Sequence, residues 1–442
     1  CFYLQGIVVL FCASLSGSSQ PVIKAAPKPN ILFIAVDDLK PIMSAYGEKI
    51  AITPALDKLA GKGSVFLNGY VQQAICAASR ASIMTGLRPD KTKVWDLVTD
   101  FRKVNPKAVS MPEYFTKNGY ATAATGKIYH IESAGSGHDA LSWTLPYAEV
   151  KATMYVNSKP EKGKRGPAVE SADVPDNTYF DGVCAENGIQ LMRQLKESGK
   201  PFFLAVGFTK PHLPFVAPKK YWDLYDRDKL PLAAHQEKPL NAVDIAFHDA
   251  GEIRAYTDIP QIIETTTQKD FGITLSVDKQ KELIHGYYAA VSYMDAQVGI
   301  LLHTLDSLGL TENTIIVLWG DHGWHLGDHN LWCKHSNFEQ ATRTPLIISA
   351  PGIKPSVTNS SSEFVDVFPT LCDLSKIDIP THLDGKSQVA VMKNPDVKVK
   401  EFAVSQYPRS MTKEEAAQLG YSGTGLMGYS IRNQRYRFTV WM

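Results

Sequence analysis

The chain has 442 residues, 44 % of them hydrophobic and 21 % charged, and 46 basic against 45 acidic residues leave a formal net charge of +1. That composition fits an ordinary globular protein with length for one large domain or two. It excludes a broadly basic nucleic-acid surface, since no Lys or Arg run interleaves with aromatics, so an anionic ligand must be met by a local pocket. Six scattered cysteines are too few for a disulfide framework, and none stand in the Cys-x-x-Cys spacing of zinc or redox sites.

Residues 1–20, CFYLQGIVVLFCASLSGSSQ, place an apolar run from Gly6 to Leu15 before small polar residues. This reads as an export signal with an incomplete start rather than a spanning helix, and predicts a periplasmic or extracellular protein. Phe11 before Cys12 does not suit lipoprotein processing, so no stable membrane anchor is expected. Asn30–Val36, NILFIAV, is a buried parallel strand by its branched apolar run, and it ends in Asp37-Asp38, at the edge where open α/β sheets bind ligands. Thr53-Pro54 starts a helix through Leu56 and Leu59, stopped at Gly61 and Gly63. The stretch Ile75–Arg88, ICAASRASIMTGLR, sets Cys76, Ser79 and Arg80 at a helix start, where the helix dipole lowers a thiol pKa and draws anions.

Ser110 and Glu113 form a capping box for a helix ending at Gly119, and Tyr120–Thr125 is a strand. Beyond it TGKIYH carries Lys127 and His130, which by themselves read equally well as surface groups. After the strand Phe202–Val206, TKPHLPF fixes His212 between two prolines, a rigid setting that suits a proton donor. Residues 231–272 lack periodicity and are rich in Pro, Asp and His, which predicts a long loop near the mouth of a site. Lys279–Leu308 is the longest helix, with Ile284, Tyr288, Val291, Met294, Val298, Leu301 and Leu305 on one face.

Strands follow at Thr314–Trp319 and Pro345–Ser349, with Asp321-His322 directly after the first and Lys334 beyond. A lone Asp-Asp pair can merely cap a segment, but two acidic clusters at one sheet edge repel unless a cation joins them, and carboxylates suit Ca²⁺ or Mg²⁺. The nitrogen of His322 weakens an argument for calcium made from ligand hardness alone. Cys333 reads as a packed thiol, and His325 and His329 beside His322 leave a zinc reading open. Phe364–Leu374 is helical, HLDGKS at 382–387 closes a large domain over 28–390, and a smaller unit over 397–442 ends in the alternating strand YRFTVWM, with its remainder missing. The expected fold is α/β: a large, mainly parallel sheet sandwiched by helices, with a small, truncated antiparallel C-terminal subdomain.

CAASR followed by Thr-Gly-Leu-Arg resembles the signature of type I, formylglycine-dependent sulfatases of the alkaline phosphatase superfamily, with Ala78 where proline is usual and Leu87 before the arginine. SQYPR at 405–409, MGYSIR at 427–432 and NFEQATRTPLI at 337–347 resemble segments of the iduronate-2-sulfatase branch, as does His322. The resemblance runs from about residue 29 onward and implies an alkaline-phosphatase-like fold. It implies that Cys76 is oxidised to formylglycine by a maturing enzyme, of the radical type that accepts Ala78. It also implies that Asp37, Asp38, Asp321, His322 and the modified Cys76 hold one divalent cation, calcium. By the same resemblance Lys127 and Lys334 bind sulfate oxygens, Arg80 orients the aldehyde hydrate, His130 takes its proton, His212 protonates the departing sugar oxygen, and His325 and His329 are supporting or surface residues with no metal role. The expected activity is removal of sulfate from a sulfated sugar or polysaccharide, with a 2-O-sulfated uronate nearest. Two other readings stay open: a phosphonate or phosphodiester hydrolase of the same superfamily, and a non-catalytic binder of sulfated glycans with Cys76 unmodified.

Overall fold

Runs of branched and aromatic residues make the strands that build the centre of the molecule, seen here in a computed structural model that describes Phe2 and residues 28–135, 137–260, 272–418 and 422–442. Apart from Phe2, the expected export signal lies outside the described residues, as do residues 261–271 of the 231–272 segment. In chain order the strands are β1 (Asn30–Val36), β2 (Ser64–Tyr70), β3 (Ala121–Gly126), β4 (Val169–Ala172), β5 (Phe202–Phe208), β6 (Phe215–Pro218) and β7 (Thr314–Gly320). They continue as β8 (His325–Leu326), β9 (Trp332–Cys333), β10 (Leu346–Ser349), β11 (Ser356–Glu363), β12 (Ala403–Ser410), β13 (Gly425–Arg432) and β14 (Arg437–Trp441). Seven of them form one sheet in the order β11-β2-β10-β7-β1-β5-β3.

All neighbours in that sheet are parallel except those of β10, which runs antiparallel to both β7 and β2, with Leu346 opposite Trp319 and Ile347 opposite Val65. Every residue of β1, β5 and β7 is buried. Side chains alternate across a strand, so β1 feeds two cores. Leu32, Ile34 and Val36 pack with Leu204, Val206 and the face of the Val277–Ser307 helix that carries Val291, Met294 and Val298. Ile31, Phe33 and Ala35 pack with Phe203, Trp319, Ile83 of the Cys76–Thr85 helix, Phe115 and Phe368.

Two strands of the sheet were not foreseen. β2 contains Asn68 and Gly69, and β11 reads SVTNSSSE, yet its last four residues are buried because β2 pairs with it and helices cover it. The capping box of Ser110 and Glu113 is present. The Val277–Ser307 helix starts at Ser276, whose hydroxyl accepts the Lys279 amide hydrogen. A separate antiparallel sheet, β12-β13-β14, follows at the C-terminal side. It is tied to the main body by the Ser405 hydroxyl donating to the Val71 carbonyl (2.6 Å) and the Gln406 amide donating to that of Gln72 (2.7 Å). Among the described residues no helix is long and apolar enough to cross a membrane.

Candidate active site

The carboxyl ends of β1 and β7 deliver the acids. Asp37 and Asp38 leave β1 side by side, and Asp38 adopts a left-handed backbone (φ 60°) that breaks the strand alternation. The Tyr287 hydroxyl, from the long helix, fixes this turn by donating to the Asp38 carbonyl at 2.6 Å. The ladder continues past the strands, with the Asp321 amide donating to Val36 and the Asp37 amide to Phe208. The Asp38 amide in turn donates to Asp321 Oδ1 at 2.9 Å.

Cys76 is the first residue of its helix, and its Sγ lies 3.3 Å from His322 Nε2, 3.5 Å from Asp37 Oδ1 and 3.7 Å from Lys127 Nζ. Asp37, Asp38, Cys76 and His322 are all buried and bring ligand atoms within 4.8 Å of one another. Asp321 stands against this group, its Oδ2 taken by Arg80 Nε at 2.9 Å and its Oδ1 3.6 Å from His322 Nε2. The fully buried Arg80 also reaches Asp37 at 3.2 Å and donates to the carbonyls of Lys127 and Ile128. Lys127 Nζ pairs with Asp37 at 2.5 Å. Lys334 Nζ lies 3.1 Å from Asp38 and 2.8 Å from Glu252, over the Trp324 ring.

Burial would raise Asp37, but Lys127, His212 and Arg80 hold it well below the usual carboxylate range. Asp38 goes the other way, pushed up to about 7 by burial with help from Asp37 and Glu252, against Lys334 and His322. Four buried or nearly buried carboxylates (Asp37, Asp38, Asp321, Glu252) thus face three permanent cations (Arg80, Lys127, Lys334). A divalent cation fits this donor set of hard oxygens plus one imidazole, and would relieve the charge at Asp38. The expectation of a lowered thiol pKa at Cys76 is overturned. Burial, then the Asp37 carboxylate, push the thiol well above its ordinary range, and both outweigh the helix start.

Lys127, His130 and His212 line one cavity of about 580 Å³ that opens over Asp37. Burial, with Lys127 beside it, lowers His130 to about 4, so the ring is neutral, and its buried Nδ1 has no hydrogen-bond partner. His212 sits in a turn held from beneath by Asp181, whose carboxylate accepts the amides of Thr209 and Lys210 at 2.8 and 2.9 Å. Lys210 Nζ closes that turn by donating to the carbonyls of His212 and Pro214. His212 Nδ1 faces the Leu213 carbonyl at 2.5 Å, and Nε2 faces Glu252 at 3.2 Å and Asp38 at 3.8 Å.

All the site residues expected from the sequence therefore converge on one sheet edge. Glu252, on the short Gly251–Arg254 helix within the segment expected to be a loop, joins them unforeseen. His325 is buried against the Ser336 hydroxyl, His329 meets the Glu237 carbonyl, and Cys333 is packed. Arg88, which ends the cysteine motif, pairs with Glu363 instead, at 2.6 Å to both oxygens.

A family model described as Sulfatase matches residues 29–377. Iduronate 2-sulfatase of Homo sapiens is 33 % identical, in an alignment covering 99 % of this chain and 89 % of that protein. A sulfatase of Formosa agariphila is 32 % identical over 92 % of this chain and 81 % of its own length. Among solved structures, a chain in complex with its substrate D-glucosamine-2-N,6-O-disulfate superposes with a TM-score of 0.72 at 22 % identity, covering 94 % of this chain and 90 % of that one. Phosphonate monoester hydrolase of Agrobacterium radiobacter gives 0.70 at 20 % identity, covering 94 % and 89 %. At those identities the two structures speak for the fold, a mainly parallel sheet between helices. The match to the family model across most of the chain, and to a relative one-third identical along nearly its whole length, speak for more: the chain belongs to the sulfatase family, as a sulfatase enzyme of the iduronate-2-sulfatase-like branch.

Proposed function

We propose that this sulfatase removes sulfate from a sulfated sugar or polysaccharide through a formylglycine made from Cys76, with a 2-O-sulfated uronate as the leading substrate. The observation that carries the mechanism is the position of Cys76: 2 % exposed, at a helix start, between Asp37, His322 and Lys127. An unmodified thiol there is held protonated by burial and by Asp37, so it makes a poor nucleophile as it stands. Formylglycine supplies, as its hydrate, an oxygen nucleophile at the same place. Asp37, Asp38, Asp321 and His322 are the residues that would hold calcium, which supplies charge neutralisation at the sulfate oxygens and acidifies a bound hydroxyl.

The remaining work falls to side chains already in place. Lys127 and Lys334 present ammonium groups to sulfate oxygens brought to residue 76, while Arg80 orients the hydrate and, paired with both Asp37 and Asp321, offsets their mutual repulsion. Each such preorganised contact is worth on the order of 10² to 10³ in rate. His212 gives a proton to the departing sugar oxygen. His130, neutral and with a free buried Nδ1, takes the proton from residue 76 that allows sulfate to leave. Maturation is assigned to an enzyme of the radical type because of Ala78, and the mature protein to the periplasm or the extracellular space because of residues 1–20.

Peptide mass spectrometry after co-expression with a radical-type maturase tests the nucleophile, and the Cys76 peptide should show sulfur replaced by oxygen. An intact thiol in fully active enzyme ends the proposal. Desulfation of a panel of defined sulfated oligosaccharides, with matched phosphate and phosphonate esters alongside, identifies the substrate. Faster turnover of the phosphorus esters would favour the superfamily's other chemistry.

A further inference from the structure

Glu252 comes from a segment without sequence periodicity, yet its carboxylate is 12 % exposed and sits at the centre of the site. Its Oε1 lies 2.8 Å from Lys334 Nζ and 3.2 Å from His212 Nε2, and its Oε2 lies 3.8 Å from His335 Nε2. These contacts are unequal in what they decide. Lys334 is already held by both oxygens of Asp38 and by the Trp324 face. The His212 ring is fixed on its Nδ1 side by the Leu213 carbonyl, while among the described residues the charged partner nearest its Nε2 is Glu252 at 3.2 Å, with Asp38 at 3.8 Å. We infer that Glu252 is the positioning residue for His212, fixing the edge of the imidazole from which the proton passes to the leaving oxygen.

The inference rests on the proposed acid role of His212. A ring anchored at Nδ1 alone can swing about χ2, and a displacement of about 1 Å in a proton donor costs on the order of 10² in rate. The short helix that carries Glu252 packs beneath the site through Ile253, which is fully buried, so the carboxylate is delivered by a rigid element. Because Lys334 keeps its other partners, loss of Glu252 acts mainly on proton donation and little on sulfate binding.

The test uses full-length protein co-expressed with the maturase and compares a sugar sulfate with 4-nitrophenyl sulfate, whose leaving group needs almost no proton. Glu252→Ala should lower kcat on the sugar sulfate by about 10² while KM moves less than about threefold, and should lower aryl-sulfate turnover by less than about tenfold. Placed in the His212→Ala background, the same change should add less than about threefold on the sugar, since the two residues act as one unit. Glu252→Gln keeps shape and one acceptor oxygen, should recover part of the loss, and carries the test if the alanine variant fails to fold. Equal loss on both substrates, full additivity with His212→Ala, or a rise in KM with kcat retained would overturn the inference. Failure of the unsubstituted enzyme to hydrolyse either sulfate would instead overturn the proposed function.

Discussion

Lys400→Met is the substitution whose effect follows most directly from the packing. Lys400, 9 % exposed, pairs at 2.5 Å with both Glu363 and Asp366, which are 1 % exposed. Arg88 supplies the second cation through its two contacts to Glu363. Two buried carboxylates are thus matched by two cations, and methionine leaves one carboxylate unpaired at nearly the same volume. Breaking a buried pair from one side costs about 3–5 kcal/mol, against a total stability of about 5–15 kcal/mol for a typical domain. The pH dependence has a definite sign. Asp366 is already raised by burial and by Glu363 against Lys400, and removal of Lys400 raises it further. A carboxyl with a folded pKa above its unfolded value contributes stability at low pH that is lost as pH rises, so the deficit should grow from pH 5 to pH 8. Urea denaturation followed by both tryptophan fluorescence and circular dichroism measures it, and coincidence of the two probes checks the two-state treatment. Adding Glu363→Gln restores charge balance and should recover part of the loss. A deficit under about 1 kcal/mol at pH 8, or one larger at pH 5, would refute the reasoning.

Substitution of His212 by Ala should damage sugar-sulfate turnover more than aryl-sulfate turnover by about 10² or more, whereas His130→Ala should slow both alike; equal losses in His212→Ala on the two substrates would remove its acid role. An Asp37→Ala, Asp321→Ala double variant should lose bound divalent cation and activity together by elemental analysis, and full metal occupancy would rule the site out. His325 is held at about 3 by burial, below its unfolded value, so it contributes stability above about pH 6.5 that is lost on acidification; His325→Gln should flatten that acid limb, and an unchanged slope would count against it. Asp295 accepts the amides of Ala55 and Leu56, yet burial pushes it up to about 7. Its contribution is therefore present below about pH 4 and lost as pH rises through 7, and Asp295→Asn should flatten stability across that window in the same titration.

β1, β5 and β7 were legible because strands buried on both faces are unbroken apolar runs, and the acids that follow β1 and β7 mark the sheet's working edge. β11 was not, because its serines and threonines are covered by neighbours that no local pattern encodes. The direction of β10 was also hidden, since a short apolar strand reads the same either way. Among the site residues, Asp37, Asp38 and His322 follow strands with a clear signal, while the order of residues around Cys76 resembles a family signature, and that resemblance brought the four together. Glu252 had no such neighbour, and its only trace was an acidic residue in a segment too irregular to place. The thiol pKa was misjudged because a helix start is visible in sequence, whereas burial beside Asp37 exists only after the chain has folded.

The reversed direction of β10 has a consequence for how such a site can change. Because β10 runs back beside β7, the chain leaves the sheet at Gly320 and re-enters at Leu346 on the same rim, where the Gly320 amide donates to the Pro345 carbonyl at 3.2 Å. The excursion between them carries Asp321, His322 and Lys334 and pairs with itself through β8 and β9. A parallel successor would have forced the chain to cross to the far rim and back, coupling any change in length to helix packing. Here the two anchor points are adjacent, so a change in length costs the sheet only a loop-closure term that grows slowly, and what resists it at the tip is contact with other loops, the His329 amide donating to the His235 carbonyl and the Ile273 amide to that of Asn330. The tip of the excursion, where His329 faces residues 233–239, can thus vary while the register of the sheet stays fixed.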